Sequence, residues 1–176
     1  MSKQTILFIA GILILFSAVF FIFPLAQAED SSLNIYKDKN NYFTFCPPAD
    51  WKKEEIVNDT VSQVNFTSPD GKAALGVIAG FNDGDLNNLF FQKKEYIKDY
   101  RRRFPKGKFS LSWATLNGRN VVKIGFEIPQ VIKQEQYFFY DQGIRFDLVY
   151  GVGDSADFEK YNQLALDAFS TVQRQK

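Results

Sequence analysis

Histidine is absent from the 176-residue chain, and cysteine occurs once. Without histidine, the chain has neither a Ser-His-Asp nor a Cys-His arrangement for nucleophilic catalysis, and no histidine-bearing metal site. A single cysteine, Cys46, excludes an intrachain disulfide, so the fold depends on a packed core. Free cysteines are often buried, which favours a packing role for Cys46 over an intermolecular disulfide or a reactive thiol.

Charge is absent from residues 4–28, where most side chains are aliphatic or phenylalanine. Lys3 precedes this run, and Ala26 and Ala28 lie just before the acidic pair Glu29-Asp30. A positive start, an apolar core and small residues at the end are typical of a secretory leader. We therefore predict a signal peptide over residues 1–28.

The apolar run is also long enough to span a bilayer, so an uncleaved membrane anchor is the alternative. Pro24 breaks the helix close to the predicted cleavage site, which favours cleavage. In both cases the rest of the chain is expected outside the cytoplasm, in the periplasm or the extracellular space.

An excess of charge of either sign is also missing. The chain has 21 basic and 20 acidic residues, and Lys3 is the only charged residue before Glu29, so the predicted mature part is balanced. A balanced chain has no general attraction for nucleic acid or acidic membranes. The 19 phenylalanines, five of them within residues 4–28, indicate a core rich in aromatic rings, with a cavity for a hydrophobic ligand as the alternative.

After the leader, the pattern predicts a polar, mobile tether over residues 29–41 and one domain over residues 42–174. Alternating apolar residues and turn signals predict strands, while apolar residues at three-four spacing predict helices. The predicted strands are 42–45, 61–67, 73–81, 109–115, 120–128, 134–140 and 144–151. The predicted helices are one that follows the cap at Asp85 and ends near Phe104, and one over 158–172.

The connections between most predicted strands are short, which favours antiparallel pairing. One amphipathic helix comes from each half of the domain, and each must cover a sheet with its apolar face. The predicted fold class is therefore α+β, an antiparallel sheet flanked by two helices.

Several motifs occur in an order that resembles the PsbP-like superfamily, the relatives of the photosystem II extrinsic subunit and many bacterial exported proteins. They are the Tyr42-Phe43-Thr44-Phe45 strand, the step from Pro48 to Trp51, the turn Phe66-Thr67-Ser68-Pro69-Asp70, the Asn117-Gly118 hairpin and the terminal amphipathic helix. The resemblance covers about residues 42–172 and implies a three-layer α/β/α sandwich with a non-catalytic role in docking or assembly. Cys46-Pro47 departs from the family pattern. The lack of histidine removes metal-linked positions of the photosynthetic subunit, so a photosystem role is not implied.

Three groups of residues are candidates for a site. Asp83-Gly84-Asp85-Leu86-Asn87-Asn88 begins like a calcium loop, but Asn88 and Lys94 stand where that loop needs Gly and Glu, so a helix cap is the better interpretation. Glu54, Glu55, Glu127 and Asp147 have no spacing that pairs two carboxylates for acid-base work. We therefore predict no catalytic residue, no metal and no cofactor.

The third group is a dense basic cluster, which we define as Arg101, Arg102, Arg103, Lys106 and Lys108. Its position at the end of a predicted helix is explained by the helix dipole. Three consecutive arginines exceed what capping needs, which leaves an anionic partner or lipid headgroups as the alternative.

The function that these observations favour is an exported, non-enzymatic binding or assembly domain. Its expected partner is another envelope protein, with a membrane surface as a further possibility and no nucleic acid. A carrier of a small apolar ligand is the alternative, based on the aromatic content, and a hydrolase that uses carboxylates is a third reading.

Overall fold

A computed structural model describes residues 34–129 and 131–175. The predicted leader, residues 1–28, lies outside the described residues. In the described ranges, no helix combines the length and the apolar character that crossing a bilayer requires.

The described residues form ten strands and two α-helices. The strands are β1 (Tyr36–Lys37), β2 (Phe43–Phe45), β3 (Lys52–Val57), β4 (Val61–Thr67), β5 (Ala73–Phe81), β6 (Lys108–Leu116), β7 (Arg119–Ile128), β8 (Ile132–Asp141), β9 (Ile144–Val152) and β10 (Gln173–Arg174). The helices are α1 (Leu86–Arg103) and α2 (Phe158–Ser170), and a short 3-10 turn over Ser155–Asp157 leads into α2.

Seven of the strands form the main sheet in the order β3-β4-β5-β9-β8-β7-β6. All its neighbours pair antiparallel. A small antiparallel sheet in the order β1-β2-β10 joins the two termini of the described domain. The predicted α+β class, with an antiparallel sheet and two helices, is confirmed.

The larger core lies on the side of the main sheet that faces α2 and the small sheet. Strand β9 shows the pattern, because Phe146, Leu148 and Tyr150 alternate with half-buried polar residues and are almost fully buried. From α2, Tyr161, Phe169 and their buried neighbours pack into the same core. On the other side of the sheet, α1 packs over β6, β7 and β8 and forms a second, smaller core. The sheet therefore lies between helices, as the resemblance implies.

The predicted hairpin at Asn117-Gly118 is present between β6 and β7. Asn117 has a φ of 48° and Gly118 has a φ of 75°, so both central residues are left-handed. Asn and Gly are the pair that accepts this conformation at low cost, and the resulting turn fits the twist of the two strands.

The tether prediction is wrong for the part of residues 29–41 that the structure describes. Tyr36 pairs with Phe45 in the small sheet and is 7% exposed. Its ring contacts the rings of Phe43 and Phe66. A strand of two residues has no periodicity that a sequence pattern reveals, but one buried tyrosine fixes it to the core.

Two more strands were not predicted. Strand β3 pairs with β4 along its whole length, from Lys52 opposite Thr67 to Val57 opposite Ser62. It is an edge strand, and charged side chains on edge strands protect their free hydrogen-bonding groups from other chains. Its four leading charged residues therefore hide the alternation that identifies inner strands. The last short strand, β10, pairs with β2.

Candidate functional site

The five residues of the basic cluster lie together and are all exposed. Arg101, Arg102 and Arg103 form the last turn of α1, where their charges complement the negative end of the helix dipole. Lys106 follows in the loop, and Lys108 begins β6. The predicted grouping is therefore present in space as well as in sequence.

Three members of the basic cluster have partners. Arg101 donates to the backbone oxygen of Phe109 at 3.0 Å. Arg102 lies 3.5 Å from Asp99, and Lys108 lies 3.3 Å from Glu127. Arg103 and Lys106 form no ion pair with the described residues, so the cluster has more positive charge than its surroundings neutralise.

The basic cluster lies at one end of the main sheet, which we call the basal end. A row of cross-strand partners marks this end and consists of Lys108, Glu127, Lys133, Val152 and Ala73. Between the two edges of this end, acidic side chains are paired with lysines. Lys72 pairs with Asp157, Lys160 with Asp70, and Lys133 with Glu159.

A second surface results from the position of α1, which packs over only part of the sheet. A row of register partners crosses the sheet from Ile56 through Gln63, Ile78, Asp147, Phe138 and Val122 to Trp113. Phe138 and Val122 lie under α1 and are 2% and 0% exposed, whereas Ile56 is 53% exposed. The α1-facing side of β3, β4, β5 and β9 therefore has no cover among the described residues, and we call it the open half.

The open half carries aliphatic and amide side chains, with the exposed charged residues Lys52 and Glu54 beside them on β3. Val61 is 37% exposed, and Ile78 and Val149 are half-buried. Gln63 donates to the side-chain oxygen of Asn65 at 3.2 Å. That oxygen lies 2.7 Å from the place where Gly76 would carry a Cβ, so the glycine allows the asparagine to lie flat on the sheet.

Charged side chains lie where the open half borders on α1. Arg145 forms a two-pronged ion pair with Asp147, with distances of 2.7 and 2.5 Å. This hydrogen bonding raises the pKa of Arg145. Lys93 of α1 lies with its Nζ 4.2 Å above the centre of the Phe138 ring, and burial lowers the pKa of that lysine.

The other sequence candidates lie apart. Asp85 caps α1 by accepting from the backbone of Asn87 and Asn88, at 2.8 and 3.0 Å, in agreement with the helix-cap interpretation. Glu55 pairs with two lysines, while Glu127 and Asp147 pair with Lys108 and Arg145. Within residues 34–129 and 131–175, no three Cys, Asp or Glu side chains form a group that could hold a metal ion. Cys46 is only half-buried, and its backbone N–H donates to the hydroxyl of Thr171.

This architecture matches that of cyanobacterial PsbP from Synechocystis, with a TM-score of 0.57 over 87% of this chain and 98% of that chain. The fold is PsbP-like. The identity to that protein is 12%, so the similarity concerns the fold.

Two further solved structures are similar to this chain. A Bacteroides thetaiotaomicron protein has a TM-score of 0.55 at 15% identity, and the match covers 81% of this chain but 48% of that protein. LpqN of Mycobacterium tuberculosis has a TM-score of 0.43 at 13% identity, covering 76% of this chain and 83% of that chain. The sequence matches no protein-family model, and no curated protein sequence shows significant similarity to it.

Proposed function

We propose that this protein is an exported, non-enzymatic binding domain that docks onto another envelope protein through its open half. The observation that carries this proposal is the exposed part of the register row, where Ile56 and its neighbours lie on a sheet that is otherwise packed between helices. Antiparallel sheets can expose one face to water. Such a face is usually polar, however, and this one presents aliphatic side chains.

The composition of the open half suits a protein partner. Protein interfaces combine apolar contacts with hydrogen-bonding groups, and their centres are poor in charge. Ile56, Val61 and Ile78 provide apolar contact, while the amides of Gln63 and Asn65 can donate and accept hydrogen bonds. The Arg145–Asp147 pair satisfies its own charges at the rim, so a partner need not supply a counter-ion there. A complementary surface is therefore one with aliphatic and amide groups, whose charge is confined to the part that meets Lys52 and Glu54 at the β3 edge.

Two features support a non-enzymatic role outside the cytoplasm. The sequence predicts a leader, which would deliver the domain to the envelope. Three of the four carboxylates considered for acid-base work are held in separate ion pairs with basic side chains, and these are Glu55, Glu127 and Asp147. Folds host many functions, so the PsbP-like fold agrees with a docking role without requiring it.

The abundant aromatic residues have a structural role that favours docking over the carriage of an apolar ligand. Their rings contact one another within the two cores. Phe139 stacks on Phe146 with centroids 4.7 Å apart, and Phe45 meets Phe66 edge-on at 5.5 Å. Such ring pairs stabilise a core by about 0.5–1.5 kcal/mol each beyond simple burial.

The docking proposal is tested by capture from the native envelope with two matched variants. The first carries Ile56→Arg and Val61→Arg, whose side chains are 53% and 37% exposed on the open half. The control carries Leu164→Arg, at a position on α2 that is 46% exposed and lies on the other side of the sheet. Because all three side chains are well exposed, we expect both variants to keep the wild-type unfolding temperature.

We expect a protein captured by the wild type and by Leu164→Arg to be lost with the double variant. Equal capture by all three proteins would reject the open half as the docking surface. If the double variant changes only the self-association seen by size-exclusion chromatography, the open half is a contact between copies of the chain, and the proposed partner is wrong.

A further inference from the structure

The basic cluster and the point where the chain joins the domain lie at the same end of the main sheet. Strand β1 runs away from the basal end. The turn that follows it lies at the opposite end of the sheet, where the side chain of Asn40 donates to the backbone oxygen of Asn58 at 2.7 Å. At the start of β1, Tyr36 lies under Lys53, the second residue of β3, whose Nζ is 5.6 Å from the ring centre. Since Lys52 opens β3 beside the basal end, the chain joins the domain there as well.

The distance along the chain from the predicted leader is short. Five residues lie between Ala28 and Asn34, so the two are six steps apart along the chain and at most about 20 Å apart when it is fully extended. While the uncharged run over residues 4–28 is held in a bilayer, before cleavage or as a retained anchor, this length keeps the start of the domain within reach of the lipid headgroups. The seven strands make this end about 30 Å wide, with the join near the β3 edge and the basic cluster near the β6 edge.

Charge is distributed unevenly along this end. The lysines near its middle are neutralised by Asp70, Asp157 and Glu159. At the β6 edge, five cations face only two carboxylates, Asp99 and Glu127, so three positive charges remain uncompensated. Helix capping accounts for one or two of the arginines, but it does not account for Lys106, which lies beyond the helix.

The surroundings of the basic cluster favour a lipid surface over a protein as its ligand. Protein interfaces are usually centred on aromatic or aliphatic anchors. Here the nearest rings, Phe104 and Phe109, pack edge-on against Phe126 and are turned away from such a role. What the cluster offers is exposed positive charge, which suits an array of anionic headgroups.

We infer that the basic cluster is a docking surface for anionic lipid headgroups, which holds the basal end of the domain against the membrane. This inference goes beyond the proposed function and uses a different surface. With the basal end on the membrane, the open half stands beside the bilayer and remains accessible to a neighbouring protein.

The test uses the predicted mature chain, residues 29–176, and its sedimentation with vesicles. One set of vesicles contains 30% phosphatidylglycerol in phosphatidylcholine, and the other contains phosphatidylcholine alone. The test variant carries Arg103→Gln and Lys106→Gln, neither of which has an ion pair in the described parts of the chain. The control carries Lys94→Gln and Arg174→Gln, which remove the same charge outside the cluster and also break no ion pair shown by the structure. Arg174 contacts Gln142 in the turn between β8 and β9, at the end opposite the basal end.

We expect the wild type to bind the anionic vesicles only, and to be released as salt rises from 50 to 500 mM. Because the test variant has lost two cations, its partition coefficient between vesicles and water should be about thirtyfold lower. The control should stay within about threefold of the wild type, because neither of its charges lies at the basal end. Circular dichroism confirms that both variants are folded.

Three results would overturn the inference. They are wild-type binding that does not distinguish the two vesicle types, equal losses in test and control variants, and unchanged vesicle binding by the test variant. If the test variant loses a captured acidic protein but no vesicle binding, the ligand of the cluster is a protein. None of these results bears on the open half, whose own variants keep the basic cluster intact.

Discussion

At the scale of single residues, Lys93 marks the border between the covered and the open parts of the sheet. It lies on the side of α1 that faces the sheet, where its ammonium lies over the ring of Phe138. Asp147 is the nearest carboxylate to influence its charge, but the oxygens of Asp147 are held by Arg145. The cation is therefore desolvated without a direct counter-ion.

Replacing Lys93 with methionine is expected to stabilise the fold by about 1 kcal/mol at pH 7, because a buried ion exchanged for an apolar chain of similar length is often neutral or stabilising. The difference should shrink at high pH. Burial lowers the pKa of Lys93 in the folded state, so with rising pH the folded protein loses this proton before the unfolded chain does. Between that lowered pKa and the pKa of the unfolded chain, about 10.4, the wild type therefore becomes more stable as the pH rises. Urea unfolding of both proteins from pH 7 to pH 10.5 measures this.

A gap between the two proteins that stays constant or widens over this pH range would contradict the desolvation of Lys93. Comparing the two proteins at each pH cancels the contribution of the tyrosines, which titrate in the same range.

At the scale of elements, β1 is a clear difference between the structure and the domain that the sequence predicts. It adds residues 36–37 to a segment predicted as a tether, and it closes the small sheet that covers the main core. Its contribution to packing comes from one side chain, Tyr36, which is enclosed by Phe43, Phe45 and Phe66.

Tyr36→Ala is expected to lower the free energy of unfolding by about 3 kcal/mol, as large aromatic truncations in a core do. The adjacent Ile35→Ala should change it by less than about 0.5 kcal/mol, since Ile35 is 50% exposed. Guanidinium unfolding of the mature chain gives both values. A negligible effect of Tyr36→Ala would show that residues 29–41 do behave as a tether.

The elements that the sequence predicts well are those whose burial alternates. Ile144, Phe146 and Leu148 alternate with polar residues because β9 has a core on one side and a partly open face on the other. Strand β3 escapes prediction because an edge strand with one neighbour carries charges on both faces. The three-four spacing of α1 and α2 predicts both helices within two residues at their ends.

The basic cluster and the open half also differ in how far the sequence predicts them. Arg101, Arg102 and Arg103 are adjacent in the sequence, so a run of charge reveals the basic cluster. The open half depends on long-range pairing. Because β9 pairs with β5 across the intervening helix and three strands, Ile78 comes to lie beside Asp147, and no local pattern contains that relation.

At the scale of the whole molecule, the domain presents different surfaces in different directions. One side of the sheet is closed by α2 and the small sheet, and the other is closed by α1 only above β6, β7 and β8. The basal end carries the excess positive charge at its β6 edge. This division allows a membrane contact and a protein contact at the same time, because the two surfaces do not overlap.

The most direct measurement of the central claim is site-specific photo-crosslinking in the native envelope, with a benzophenone side chain in place of Val61 or, as the matched control, Leu164. Both positions are well exposed, at 37% and 46%, but they lie on opposite sides of the sheet. We expect a discrete protein adduct from position 61 and none from position 164. An adduct from position 164 alone, or equal labelling from both positions, would contradict docking through the open half.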